Sequence, residues 1–322
     1  MKPLRIYTAL AAMMLLCGCT SLDSGSSGTG TGMTASGTQA TGETGSGTQA
    51  AGDPAGSTDQ TAASVPADAL DVRMLFPAGG SVALSGNGVV FARDGLNLRS
   101  QPTASSQKLA LLKHGTAVKV KNAVCAAVKQ HTPECWYQVE AGGKTGFISA
   151  EFAAVSFDTP VSAMDDTQRS ALGILLFRQA YKLNWYFTQE GGIAATAYLT
   201  QKEDAEGWIP LEPKGLTVEK LLADYRKYFA MDFPYDINNC YREKDGTLYV
   251  MDEHPENPYV DYEELAFLTA ATDDSLTYRT RAQWYTTGEF VMVTENDGVT
   301  EDDFVLNYTD GIWKIARFVP AI

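Results

Sequence analysis

The chain is short of histidine, cysteine and basic residues. Its 322 residues include 3 His and 5 Cys, and 25 Lys and Arg stand against 39 Asp and Glu, for a formal net charge of −14. Proteins that bind nucleic acid gain most of their affinity by neutralising phosphates with Lys and Arg. The composition therefore argues against this class, and we expect no nucleic-acid partner.

The shortage of histidine also restricts nucleophilic catalysis, because Cys–His and Ser–His mechanisms need a base beside the nucleophile. His114 and His131 fall in one predicted barrel and His254 in an acidic loop, so none is indicated near Cys240. We predict a protein that is not an enzyme, with no catalytic residues and no cofactor. Cys240, at the head of a predicted strand before an Asp-Gly turn, is interpreted as a structural thiol.

Long apolar runs are scarce, and the one at the N-terminus is short. The run Ile6–Leu16 follows Lys2 and Arg5 and precedes small residues around Gly18. It is too short to span a bilayer. A basic start, a short apolar run and small residues are typical of an export signal.

The five residues that end this signal, LLCGC, resemble the bacterial lipobox, with Cys17 where a small residue is usual. The resemblance implies that residues 1–18 are a lipoprotein signal peptide and that Cys19 carries the lipid. The alternative is an ordinary cleaved signal peptide. Two or more acyl chains, such as palmitate, anchor a protein stably, so we expect an extracytoplasmic protein held at the cell membrane or outer membrane.

Removal of the signal peptide makes the chain more acidic. Lys2 and Arg5 leave with it, so 23 basic residues stand against 39 acidic ones and the formal net charge is −16. Residues 19–66 follow, rich in Gly, Ser and Thr, with almost no large apolar side chain. Such a composition predicts a disordered tether, and residues 67–87 lead from it into the folded part.

Residues 88–155 are predicted to form a small all-β barrel, because short β-type runs alternate with turn residues. The runs are Val89–Phe91, Leu96–Leu98, Lys108–Leu112, Val118–Val120, Trp136–Val139 and Thr145–Ile148.

Three motifs in this region resemble the bacterial SH3 family. Leu96–Pro102 resembles the family's opening motif, Leu109–Val120 its Gly-Thr hairpin, and Trp136–Val139 its closing Trp strand. Phe147 stands where the family usually has a second Trp. The resemblance implies an SH3-like barrel that binds cell-wall peptide or docks a partner protein, without catalysis.

The candidate ligand-binding residues of the barrel are Asn97, Arg99, Trp136 and Tyr137. Asn97 and Arg99 would make polar contacts, and the two aromatic residues would offer apolar faces. The alternative is structural: Asn97 shapes a turn, Arg99 is a solvated ion-pair partner, and Trp136 belongs to the core.

Cys125 and Cys135 flank an insertion from about Asn122 to Glu134 in one hairpin. Two cysteines ten positions apart in an exported chain predict a disulfide. The alternative takes Cys125, His131 and Cys135 as metal ligands, which would require a fourth ligand.

Residues 156–322 are predicted to form an α+β domain. Helical spacing of apolar residues predicts helices over Asp166–Phe187 and Val218–Phe229, and Asp-Gly pairs at 245–246 and 310–311 predict two hairpins. Helices followed by antiparallel strands indicate helices on one side of a curved sheet. The chain is thus predicted to be multidomain, an SH3-like barrel followed by this α+β domain.

This domain resembles IseA-type inhibitors of cell-wall DL-endopeptidases and, more loosely, the cone-shaped NTF2-like fold. The segments that carry the resemblance are Asn184–Phe187, Tyr241–Tyr249 and Phe304–Phe318. The first family implies a domain that blocks a peptidoglycan hydrolase. The second implies a pocket in the cone, so an enzyme with a small-molecule pocket is the alternative function.

An acidic stretch in this domain is the predicted contact with such a partner, through Asp252, Glu253, Glu256 and Asp261. Basic approaches to a hydrolase cleft would attract it electrostatically. The alternatives are a solvated loop and a calcium site, for which the spacing does not match a known calcium loop.

Overall fold

A computed structural model describes most of the chain beyond the predicted tether. The described residues are 69–72, 80–125, 134–195, 203–251, 260–285 and 296–320. Cys19, Asp252, Glu253 and Glu256 lie outside them, and the side chain of Asp261 is not described. In the described part of the chain no helix is long and apolar enough to cross a membrane.

The barrel half contains a mixture of short and long antiparallel strands. After a two-residue strand β1 (Leu70–Asp71), the strands are β2 (Ser81–Val90), β3 (Leu96–Arg99), β4 (Lys108–Leu112), β5 (Ala117–Cys125), β6 (Cys135–Ala141), β7 (Lys144–Ser149) and β8 (Ala153–Phe157). Among the described residues, β2 to β8 form a seven-stranded sheet in the order β4-β3-β7-β6-β5-β2-β8. All six predicted strands are confirmed, and β8 is an additional one.

The barrel encloses an apolar interior because its strands alternate. Along Ser81–Gly86, exposed and buried residues alternate strictly, and Val82 and Leu84 point inward. Val120 and Val139, which pair across β5 and β6, are fully buried. This alternation is what a half-buried strand requires.

The C-terminal half begins with a long helix and continues mainly as strands. Its elements are α1 (Asp166–Gln189), β9 (Trp208–Pro210), α2 (Val218–Tyr225), α3 (Ile237–Cys240), β10 (Tyr241–Lys244), β11 (Thr247–Met251), β12 (Val260–Ala271), β13 (Ser275–Tyr285), β14 (Asn296–Thr309) and β15 (Ile312–Arg317). In the described residues the sheets run β1-β12-β13-β14-β15 and β10-β11-β9, all antiparallel. The described structure is therefore mostly β, with three α-helices.

The predicted helix starts and hairpins are confirmed. Asp165 caps α1 in a capping box with Gln168, and Thr217 caps α2. Both Asp-Gly pairs turn with positive φ, at 52° and 72° for Asp245-Gly246. Positive φ at both central residues is the type I′ geometry that suits a two-residue hairpin.

Two predicted element ends are wrong. The second helix ends at Tyr225, four residues before the predicted end, because the chain turns there to pair with β15. Ile315 N–H donates to the Tyr228 carbonyl at 2.8 Å. Ala230 N–H donates to the Ile315 carbonyl at 2.7 Å. Cys240, expected at the head of a strand, instead ends the one-turn helix α3.

Helix α1 packs on one face of the five-stranded sheet. Gly173 lies against the buried ring of Tyr278, whose hydroxyl donates to the Arg169 carbonyl at 2.7 Å. Phe177 packs edge-on against Phe304 at 5.2 Å between ring centroids. The helix thus covers the apolar face of the sheet.

The barrel and the C-terminal half are joined by buried hydrogen bonds. The Gln179 amide accepts from Val155 N–H at 2.8 Å and donates to Val155 C=O at 3.0 Å. Trp313 Nε1 donates to the Thr159 carbonyl at 2.7 Å. Asp59–Ile322 accordingly forms one compact unit, and the predicted domain boundary at 155/156 falls within β8.

Candidate functional site

The two aromatic candidates of the barrel are buried. Trp136 is 6% exposed and Tyr137 is 1% exposed. Trp136 Nε1 donates to Glu134 at 3.0 Å, and the Tyr137 ring packs edge-on against Phe157. Burial raises the pKa of the Tyr137 phenol. Tyr137 is part of the apolar core, whereas Trp136, its neighbour in β6, points to the opposite face of the sheet. Neither ring presents an open face to a ligand.

The polar candidates Asn97 and Arg99 lie half-buried in β3. Asn97 is opposite Leu111 in the ladder, so it is in a strand and not in a turn. Arg99 Nη1 donates to the Ser106 carbonyl at 2.8 Å, which ties down the loop between β3 and β4. Ligand contact by Asn97 and Arg99 stays a prediction.

The structure brings the two barrel cysteines together. Cys125 and Cys135 are directly opposite in the β5–β6 ladder, and their Sγ atoms lie 1.92 Å apart, as in a disulfide. His131, the third residue of the alternative metal site, lies outside the described residues. Among the described residues no cluster of three or more His, Cys, Asp or Glu could hold a metal ion.

We expect non-reducing peptide mapping of the exported protein to show Cys125 joined to Cys135 and Cys240 free. Reduction, or the double substitution Cys125→Ser/Cys135→Ser, should lower the free energy of unfolding by about 2–3 kcal/mol, because the bridge restricts the unfolded chain. A peptide that links Cys240 to either partner would contradict both the pairing and the buried position of Cys240.

A cleft that the sequence did not reveal lies where the barrel meets the C-terminal half. It has a volume of about 500 Å³. Four separate parts of the chain form its wall: Asn87 in β2, His114 in the turn between β4 and β5, Ile193 and Ala194 after α1, and Asp224, Lys227 and Tyr228 at the end of α2. No local motif connects these segments, so only the tertiary fold places them together.

The cleft contains polar side chains with unused hydrogen-bonding capacity. His114 Nδ1 is buried and has no hydrogen-bond partner among the described residues. Tyr228 is 8% exposed, and burial, with Asp224 nearby, raises the pKa of its phenol. Lys227 Nζ contacts Asp224 Oδ1 at 2.6 Å, with the Lys227 side chain 64% exposed.

A second cavity of about 320 Å³ adjoins the first. Asp224 and Lys227 border both cavities, and we call the two cavities together the α2 groove. The far end of the α2 groove is apolar and is lined by Leu216, Leu221 and Leu248. A polar end and an apolar end are typical of small-ligand sites.

The free thiol among the described residues is poorly suited to nucleophilic attack. Cys240 is 1% exposed, and burial, with Asp236 as a smaller cause, raises the pKa of its thiol to about 11. The thiolate is the nucleophilic form of cysteine. Near neutral pH Cys240 is therefore almost entirely protonated.

Comparison with known proteins gives one family match. No curated protein and no solved structure matches the chain. The resemblance of residues 156–322 to IseA-type inhibitors is therefore not supported by any match. Bacterial SH3 domains commonly bind cell-wall or protein partners. Residues 94–154, which run from the end of the β2–β3 turn into β8, match the family model of the bacterial SH3 domain.

Proposed function

We propose that this protein is a non-enzymatic, lipid-anchored envelope protein that binds cell-wall peptide. The observation that carries the proposal is the bacterial SH3 match over residues 94–154. The barrel is joined to the C-terminal half through Gln179, and the α2 groove lies at their junction. This arrangement supports a binding module in which both halves contribute to one surface.

The non-enzymatic part of the proposal rests on the chemistry of the described side chains. Cys240 is buried and protonated, and burial raises the pKa of the Tyr228 phenol in the cleft, so this group stays protonated and does not act as a base. The competing function is an enzyme with a small-molecule pocket in the C-terminal domain. Turnover of wall material by the purified protein separates the two.

The test uses the mature chain with Cys19→Ser, which removes the acylation site, mixed with purified sacculi. We expect it to sediment with the sacculi and to release no soluble fragments. Sedimentation with cellulose, an uncharged polysaccharide without peptide, is the control. Failure to sediment with sacculi would overturn wall binding, and release of soluble wall peptides would overturn the non-enzymatic assignment.

Anchoring through Cys19 is tested separately. We expect Cys19→Ala to release the protein from the membrane fraction and to abolish incorporation of labelled palmitate, because stable attachment depends on the acyl chains. Cys17→Ala, which restores a small residue at the usual lipobox position, is the matched control and should still be labelled. Membrane pelleting and labelling of Cys19→Ala would contradict the anchor.

A second role, inhibition of a peptidoglycan endopeptidase, is favoured by the net charge of −16 on the mature chain. An acidic protein is steered towards basic clefts, and salt screens that attraction. The soluble mature chain should then slow digestion of sacculi by an endopeptidase from the same envelope, less so at high ionic strength. Equal digestion rates with and without the protein would remove this role and leave wall binding in place.

A further inference from the structure

We propose that the loop of residues 230–236, which we call the Tyr235 loop, inserts into an apolar cleft rimmed by Lys and Arg on an endopeptidase. The inference rests on the inhibitory role proposed above and names the surface that performs it. The Tyr235 loop connects the turn after α2 to α3 in the C-terminal half, outside the matched residues 94–154. It is therefore a contact that the barrel does not supply.

The Tyr235 loop presents a group of neighbouring apolar side chains to solvent. Tyr235 is 41% exposed, Pro234 is also exposed, and Phe233 beside them is half-buried. Single exposed apolar residues are ordinary on a protein surface, whereas contiguous ones mark interaction sites. Tyrosine is also among the residues that contribute most to the affinity of protein interfaces. Tyr235 is thus the expected anchor of a protein contact.

The backbone of the Tyr235 loop is held in place by the core beneath it. Ala230 N–H donates to the Ile315 carbonyl of β15 at 2.7 Å, and the Tyr225 hydroxyl donates to the Asp232 carbonyl at 3.1 Å. The Phe233 ring packs edge-on against the Tyr225 ring, with 5.3 Å between centroids. A surface that is already ordered loses less conformational entropy on binding. The loop can therefore bind without first being arranged by its partner.

The charges of the Tyr235 loop specify the chemistry of the partner. Asp232 and Asp236 are exposed on either side of the apolar residues, and residues 229–240 contain no Lys or Arg. Neither carboxylate forms an ion pair with another described residue. A cleft with Lys or Arg at its rim attracts these two carboxylates, and an apolar cleft floor accommodates the Tyr235 ring.

An apolar loop is also suited to insertion into a lipid surface, but the same charges argue against it. Protein segments that bind anionic lipid headgroups do so with Lys and Arg. The exposed carboxylates of Asp232 and Asp236 would be repelled by such headgroups. The charge of the loop therefore favours a basic protein cleft over a membrane.

The experiment measures inhibition of an endopeptidase from the same envelope by the mature chain with Cys19→Ser. The substrate is soluble muropeptides, so that coating of sacculi does not contribute to the result. Tyr235→Ser should raise the concentration for half-inhibition at least about tenfold, since truncating an anchor residue of an interface costs that factor or more. Trp185→Ser, which replaces an equally exposed aromatic residue on α1, should leave it unchanged.

A second pair of variants tests the charge of the loop and leaves its apolar residues intact. Asp232→Asn should weaken inhibition at low ionic strength and make it less sensitive to salt, because one steering charge is lost. Asp273→Asn, in the exposed β12–β13 turn, changes the net charge equally and should have the smaller effect. Thermal unfolding of each variant shows whether it is folded.

Three results would overturn the inference. If Tyr235→Ser inhibits as well as Trp185→Ser or, should Tyr235→Ser not fold, if Asp232→Asn inhibits as well as Asp273→Asn, the loop is not the contact and the inhibitory role stands. If the wild type slows digestion of sacculi but not of muropeptides, it acts by coating the wall and the inference falls. If it slows neither, the inhibitory role falls as well and wall binding stands.

Discussion

Replacing Gly173 by alanine is expected to lower the free energy of unfolding by about 1–3 kcal/mol. In an ordinary helix the same change stabilises by up to about 1 kcal/mol, because glycine has the lower helix propensity. Here an added Cβ would lie 2.4 Å from Cε1 and 2.5 Å from Cζ of Tyr278, and 2.9 Å from a Leu265 methyl. The Tyr278 ring is fully buried, and its hydroxyl is held by the Arg169 carbonyl, so it cannot swing away.

The matched control for Gly173→Ala is Ser170→Ala, on the same helix. Ser170 is fully buried, and its Oγ has no hydrogen-bond partner among the described residues. Removing an unsatisfied buried hydroxyl and gaining helix propensity should raise the free energy of unfolding by about 1 kcal/mol. Chemical denaturation of both variants measures the two effects. A stabilised Gly173→Ala protein would mean that α1 does not approach the sheet this closely.

Local features of the fold were predictable because their causes are local. Asp165 and Thr217 accept from backbone N–H groups three residues ahead, so a polar residue before an apolar periodic run indicates each helix start. The turn at Asp310-Gly311 depends on the two residues in it. The alternation of buried and exposed residues in the barrel strands also depends only on neighbouring residues.

Features that depend on contacts distant in sequence were not predictable. Helix α2 was expected to continue to Phe229, and its early end is caused by hydrogen bonds to Ile315, almost ninety positions away. The close approach of Gly173 to Tyr278 is equally distant in sequence. Propensity within a window contains no information on such partners.

The candidate site follows the same rule. Trp136 and Tyr137 were candidates because aromatic residues often bind ligands, but both are buried, and Tyr137 is part of the apolar core. The α2 groove instead depends on four short segments, around Asn87, His114, Ala194 and Lys227, that have no common motif. A search for spacing patterns could not have found it, since the groove exists only where two halves of the fold meet.

The last prediction concerns the joint between those halves. Gln179→Leu is expected to lower the free energy of unfolding by about 2–6 kcal/mol, because it leaves a buried N–H and a buried C=O of Val155 without partners, at about 1–3 kcal/mol for each group. The Gln179 side chain is 6% exposed and Val155 is fully buried, so water cannot replace the amide without opening the interface. Strand β8 is at the edge of its sheet, and Gln179 occupies the edge positions that a further strand would take.

Gln168→Leu is the matched control, since Gln168 on the same helix also reaches the barrel, donating from Nε2 to the Ala83 carbonyl at 2.7 Å, but in an exposed position. Water can replace that contact, so the control should cost about 1 kcal/mol, mostly through the lost capping box. Hydrogen exchange of the Val155 amide gives the site-specific measurement. In Gln179→Leu this amide should exchange faster than the loss of global stability explains. In Gln168→Leu its exchange should rise only as much as the loss of global stability predicts. Equal protection of Val155 in both variants would show that Gln179 does not hold β8, and contacts such as the Arg93–Glu190 ion pair would then join the two halves.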